Sequence, residues 1–254
     1  MQIILASAKI MYDKSAVPEG ITATTPRFQK EAQRLAGDMM RYPVEALVEM
    51  LGCSHAIAAQ NRLRYLRFMD EHEPLPAILA YHGQAYKHLK ADTLDADTLR
   101  YAQGHLWVMS FLYGLLRPLD DIRPYRMEGQ VELPSANGNM FDYWKPRLTQ
   151  VLIDSVKADD GVLVHLATEE FQRLVDWKRV REELHVVQPM LLVRKGDSLK
   201  VQAVWAKTCR GAMARMILQE RLSHPEELLA FQYEGFTYSP ASSEENQPCF
   251  IKEN

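Results

Sequence analysis

Three short, unbroken apolar runs set the strongest limit on the fold: Ile3-Ile4-Leu5-Ala6, Leu106-Trp107-Val108-Met109, and Val162-Leu163-Val164 running on through His165-Leu166-Ala167. Runs of this length without polar alternation predict strands buried on both faces, and such strands occur where helices cover a sheet from both sides. Helical patterns fill the intervals. Residues 26–40 carry Pro26 at the first helical position with Thr25 as its cap, and residues 95–104 follow Asp95 as a cap. Residues 140–156 contain Pro146, which predicts a kink or a later start. Ala77-Ile78-Leu79-Ala80 reads as a further strand. Residues 185–193 and 199–205 read as a hairpin about Gly196-Asp197-Ser198, followed by a helix over 212–222. The expected architecture is a mixed α/β fold with a central, largely buried sheet flanked by helices. With 254 residues and no linker or repeat, one domain over 1–254 is expected.

Several of these runs end in residues suited to anions. Ser7 and Lys9 follow the first run, and Gly83 and Tyr86 follow residues 77–80. Tyr113, Gly114 and Arg117 follow the strand at 106–110, and Lys207 and Arg210 lie where a strand is expected to pass into a helix. The segment SFLYGLLRPLDDIRPYRME (110–128) adds Tyr125 and Arg126 on a loop stiffened by Pro118 and Pro124. Rigidly held guanidiniums suit bidentate recognition of phosphate or carboxylate. The alternative is that Arg117, Arg123 and Arg126 pair with Asp120, Asp121 and Glu128 and only pin the loop. Glu169, which could simply charge a helix N-terminus after Thr168, is expected to face the same cleft as Lys9. Converging strand ends would form one basic cleft in a chain whose net charge is −3.

Residues 44–69 read as two helices joined at Gly52, with Ser54 capping the second, which carries Arg62, Arg64 and Arg67. This could be a helix-hairpin-helix offering backbone N–H groups to a DNA phosphate, or a plain tight turn between helices. The three cysteines show no paired spacing, and the N-terminal run has no basic segment before it, so a cytoplasmic location is expected. His82, His88 and His105 form no known ligand spacing. No metal, no cofactor and no membrane partner is expected.

Ala6-Ser7-Ala8-Lys9, Leu112-Tyr113-Gly114-Leu115-Leu116-Arg117-Pro118-Leu119-Asp120, Pro124-Tyr125-Arg126-Met127-Glu128, Val164-His165-Leu166-Ala167-Thr168-Glu169-Glu170-Phe171 and Lys207 with Arg210-Gly211 resemble the YaaA family of bacterial peroxide-stress proteins. The likeness runs over residues 1–251. It implies a cytoplasmic protein that limits iron-dependent oxidative damage, a single mixed α/β domain with a positively charged cleft and a helix-hairpin-helix, and binding to DNA. Where the family has Lys-Lys-Ala-Arg-Gly, this chain reads Lys207-Thr208-Cys209-Arg210-Gly211, with one positive charge fewer.

Two functions are therefore expected as alternatives. One is duplex DNA binding with little sequence preference, through Lys9, Arg117, Arg126, Lys207 and Arg210, with the hairpin at Gly52 and Ser54 and with Arg62 and Arg64 as a second anchor. The other is an enzyme acting on a nucleotide or other phosphorylated small molecule in the same cleft. A blander third is non-specific anion binding.

Overall fold

The fold is given by a computed structural model, which describes residues 1–253. The strands are β1 (Gln2–Ala6), β2 (Leu106–Ser110), β3 (Gly114–Leu116), β4 (Glu132–Leu133), β5 (Gly138–Asn139), β6 (Val162–His165), β7 (His185–Val187), β8 (Met190–Lys195), β9 (Ser198–Lys200), β10 (Phe236–Tyr238) and β11 (Cys249–Lys252). The helices are α1 (Gln29–Met39), α2 (Val44–Leu51), α3 (His55–Leu66), α4 (Ala77–Ala80), α5 (Gln84–Leu89), α6 (Ala96–His105), α7 (Met140–Ala158), α8 (Glu169–Gln172), α9 (Trp177–Glu183) and α10 (Ala203–Glu220).

The three apolar runs form the heart of a five-stranded sheet in the order β3-β2-β1-β6-β7. β1 pairs in parallel with β2 on one side, Ile3 opposite Leu106, and with β6 on the other, Ile3 opposite Val164. Ile3, Ile4 and Leu5 are all at most 1% exposed, so both faces of β1 are covered, as an unbroken apolar run requires. β3 alone runs antiparallel, folding back beside β2 with Leu116 opposite Val108. Strands β10, β11, β8 and β9 form a second, four-stranded sheet in that order.

Residues 77–80 are a helix rather than the expected strand. All four are buried, so apolar periodicity carries no signal there. Pro76 precedes the turn, and the first N–H groups of α4 are met from outside: Ala77 N donates to Asp120 O at 2.9 Å and Ile78 N to Pro118 O at 2.9 Å. The expected hairpin is also redrawn. β8 and β9 do pair about Gly196, with Lys195 opposite Ser198. Residues 185–187 instead leave the hairpin across Pro189 and join β6 in the main sheet. The strand after Gly196 stops at Lys200, and α10 begins at Ala203 rather than 212. α7 runs through Pro146 from an Asn139 cap. Thr25 is not a cap, because α1 starts at Gln29. Asp95 and Ser54 cap α6 and α3 as read. Among the described residues no helix is long and apolar enough to cross a membrane.

Candidate functional site

The carboxyl ends of β1, β2 and β6 open onto one crevice. Strand order explains its position. The chain leaves β1 for β2 on one side, and later crosses to β6 on the other, so β1 and β6 part at their carboxyl ends and leave a cleft there. Beyond β1, Ser7 N donates to Met109 O at 2.9 Å, and the chain then turns away through Ala8 and Lys9. Beyond β2, Ser110 Oγ accepts from Leu112 N and Tyr113 N, which turns the chain sharply. With its lone pairs so used, Ser110 directs its proton to Tyr125 Oη, 2.5 Å away, and Tyr125 lies 2.8 Å from Tyr81 Oη. Burial raises the Tyr125 pKa, so this hydroxyl acts as a neutral hydrogen-bonding group and not as a base.

Two glycines let the walls close. A Cβ on Gly83 would lie 2.8 Å from Ala8 Cβ, and one on Gly211 would lie 1.8 Å from Ala85 O. Without side chains at these positions, α5 reaches the end of β1 and α10 lies directly against α5. Gln84 Nε2 joins the two helices by donating to Thr208 Oγ1 at 2.8 Å, and Tyr86 Oη donates to Ala6 O at 3.0 Å.

The resulting cavity is about 320 Å3, at the lower end of ordinary small-molecule pockets. Phe111, Leu166 and Phe171 form an apolar wall, with the two phenylalanine rings stacked at 4.5 Å. Lys9, Arg126, Lys207 and Arg210 supply four cations against the carboxylates of Glu128 and Glu170. Glu128 is clamped: Lys9 Nζ lies 2.8 Å from one of its oxygens and Arg126 3.0 Å from the other. Arg126 Nε is buried without a partner. Burial lowers the Arg210 pKa, and Glu169 opposes that shift.

The comparisons with known proteins agree along the whole chain. The family described as peroxide stress protein YaaA matches residues 1–242. A protein of Bacteroides thetaiotaomicron described as a UPF0246 protein is 43% identical over 253 residues, covering 99% of this chain and 98% of its own. Another UPF0246 protein, from Phocaeicola vulgatus, is 41% identical over 252 residues, covering 98% of each chain.

The chain belongs to the peroxide stress protein YaaA family. That membership places it in the response to peroxide. The basic residues of this YaaA-family chain do not all meet in one cleft. Ser7, Lys9, Gly83, Tyr86, Tyr125, Arg126, Lys207 and Arg210 line the pocket, whereas Tyr113, Gly114 and Arg117 do not. Because β3 runs antiparallel, it carries Arg117 to the opposite end of the sheet. There the guanidinium stacks 3.3 Å over the Trp107 ring and donates to Ser155 Oγ at 2.9 Å. Burial lowers its pKa to about 10. Tyr113 is buried behind Tyr125 and accepts from Arg123 N at 3.0 Å. Gly114 adopts φ +70° with Trp144 closing over it.

Gly52, Ser54, Arg62 and Arg64 lie on the α2–α3 hairpin, outside the pocket. Arg64 is held by Asp13 at 2.8 Å. The N–H groups of Gly52 and Cys53 close the end of α2, donating to Glu49 O and Val48 O, so neither is free for a phosphate. Glu169 faces an adjoining cavity, and its neighbour Glu170 lines both. Sequence reasoning missed Phe111, Phe171 and Glu170 as pocket residues, and treated Glu128 only as a pairing partner. The pairing of Glu128 with Arg126 was visible in Arg126-Met127-Glu128, but the reach of Lys9 to Glu128 depends on the fold.

No group of His, Cys, Asp and Glu suited to a metal ion is found among the described residues. The three cysteines are free. Burial pushes the Cys209 thiol up to about 12, so at neutral pH it stays a thiol rather than a thiolate able to attack peroxide.

His165, at the end of β6, is buried, and its pKa falls to about 3, first through desolvation and then through Arg210. The imidazole is thus neutral in the folded protein. Above pH 6.5 neither state is charged and the contribution is complete. As pH falls below 6.5 only the unfolded chain gains the proton, so stability is lost down to about pH 3. Acidification from pH 6.5 to 5 is expected to remove about 2 kcal/mol through this group. Urea unfolding at both pH values should show the loss in the parent and a flatter response in His165→Gln.

Proposed function

We propose that this chain acts in the peroxide response by binding a nucleotide in the pocket between β1 and β6. The observation that carries this reading is one small cavity that joins an aromatic wall to four cationic side chains. A nucleobase fits against Phe111 and Phe171, which offer a flat apolar face. A phosphate fits near Lys207 and Arg210, where charge-assisted hydrogen bonds are strongest away from bulk water. Ser7, the Tyr125 hydroxyl and Glu128 then face the middle of the ligand, the position of a ribose. Glu128 is a ready acceptor for ribose hydroxyls because Lys9 and Arg126 hold both its oxygens in place.

Isothermal titration with nucleoside monophosphates, AMP first, tests this. The expected result is one AMP per chain, with adenosine bound at least about tenfold more weakly because it lacks the charge-assisted contacts. Absence of binding by every nucleoside monophosphate would contradict the proposal.

Duplex DNA binding is a second reading, supported by Arg62 on α3 and the exposed Arg67 at its C-terminal cap, beside a hairpin whose Gly52 and Cys53 N–H groups are already used within α2. The commitment of Arg64 to Asp13 and the exposure of Leu63 and Leu66 on the same helix weaken it. Its test is a mixed-sequence duplex titrated over a salt series. A DNA site gives a log–log slope of about −0.9 per phosphate contact, made shallower by Arg62→Ala/Arg67→Ala. A pocket confined to nucleotides gives no such effect of these substitutions.

A further inference from the structure

A second cavity of about 520 Å3 adjoins the pocket and shares Thr168, Glu170, Lys207 and Arg210 with it. The two cations therefore stand at a waist between two chambers. The chambers differ in chemistry. The first has the phenylalanine wall. The second sets His165, Glu169 and Gln188 beside an apolar side made by Pro189, Met190, Leu191 and Val201.

His165 is the informative residue. It is 2% exposed, Trp177 packs against it at 4.8 Å between ring centroids, and neither ring nitrogen has a hydrogen-bond partner. Buried polar atoms in folded proteins are almost always satisfied, so an imidazole with both nitrogens empty on a cavity wall marks a place for an incoming group. A neutral imidazole offers one donor and one acceptor, and a hydroxyl can meet either. Glu169, which lines the second chamber alone, adds an acceptor that suits a hydroxyl donor and disfavours a further phosphate there. The second chamber is therefore built for an uncharged, hydroxyl-rich group.

We propose that the second chamber binds the sugar half of a two-part ligand, whose phosphates lie between Lys207 and Arg210 and whose base occupies the first chamber. The ligand class is a nucleoside diphosphate carrying a sugar. This rests on the nucleotide reading of the first pocket and extends it.

Titration calorimetry with ADP and ADP-ribose tests it, since the two share base and diphosphate and differ in the second sugar. The parent is expected to bind ADP-ribose at least tenfold more tightly than ADP. His165→Ala is expected to bring ADP-ribose to within about twofold of ADP and to leave ADP itself unchanged, which also reports that the variant is folded. Glu169→Gln, at an exposed position, is expected to weaken ADP-ribose at least threefold and ADP not at all. Equal affinity for the two ligands in the parent, or an ADP-ribose advantage that survives both substitutions, overturns the second-chamber proposal and leaves the nucleotide pocket standing. If neither ligand binds and AMP also fails, the pocket reading falls and this proposal falls with it.

Discussion

Gly211→Ala is expected to destabilise the protein by about 3 kcal/mol and to lower Tm by about 6–12 °C. The added Cβ would sit 1.8 Å from Ala85 O, 2.6 Å from its carbonyl carbon and 2.9 Å from its Cα. These are backbone atoms of α5, which cannot swing aside as a side-chain end could. α5 must retreat as a unit, which strains the Gln84–Thr208 and Tyr86–Ala6 hydrogen bonds. Because α5 and α10 each contribute a wall of the pocket, lost stability should come with lost ligand affinity. Gly37→Ala is the matched control. Gly37 lies inside α1 with nothing within 4 Å of its Cβ position, so alanine there should be neutral or stabilising by up to about 1 kcal/mol. Thermal and urea melts of the two variants decide the matter. Equal stability of Gly211→Ala and the parent would show that α5 and α10 are not held in the close contact described.

Lys207→Ala and Arg210→Ala are each expected to weaken AMP by about 10- to 150-fold, the effect of losing one charge-assisted hydrogen bond worth about 1.5–3 kcal/mol. Both side chains face the waist between the two chambers. Lys207 is exposed, so its removal should leave the melting curve nearly unchanged and separate binding from folding. Arg210 is half-buried and its variant needs that comparison. Arg117→Ala supplies the opposite control. It is expected to lose the stacking on Trp107 and some stability, with AMP affinity unaltered, because its guanidinium lies at the far end of the sheet. An Arg117→Ala effect on AMP as large as that of Lys207→Ala would contradict the placement of the site.

The central strands were legible because β1, β2 and β6 are apolar on both faces, and short unbroken apolar runs point to strands covered on both sides. Residues 77–80 show the limit of the same signal. Complete burial removes periodicity, and the outcome there depended on carbonyls from residues 118–120 that meet the helix N–H groups. The start of α10 was hidden for a different reason. Val201 and Val204 are exposed, so the β-branched residues at this junction resemble a strand without contributing to a core. Arg117 follows a strand end in the chain, but sequence does not say at which end of the sheet that strand finishes. The single reversal at Gly114 moved it away from Lys9. Sequence grouped Lys9, Arg126, Lys207 and Arg210, and the four do line one pocket, but Lys207 and Arg210 lie within α10 rather than at the strand-to-helix junction expected. The aromatic wall was not legible, because Phe111 and Phe171 are separated by 60 positions and meet only when β2 and β6 flank β1.

The most direct measurement is hydrogen exchange with and without saturating AMP. Slower exchange is expected in the segments that build the pocket, residues 5–10, 83–86, 125–128, 166–171 and 207–210, with the hairpin at 52–67 unchanged. Protection confined to 52–67, or no change in the pocket segments at saturation, would contradict a nucleotide site between β1 and β6.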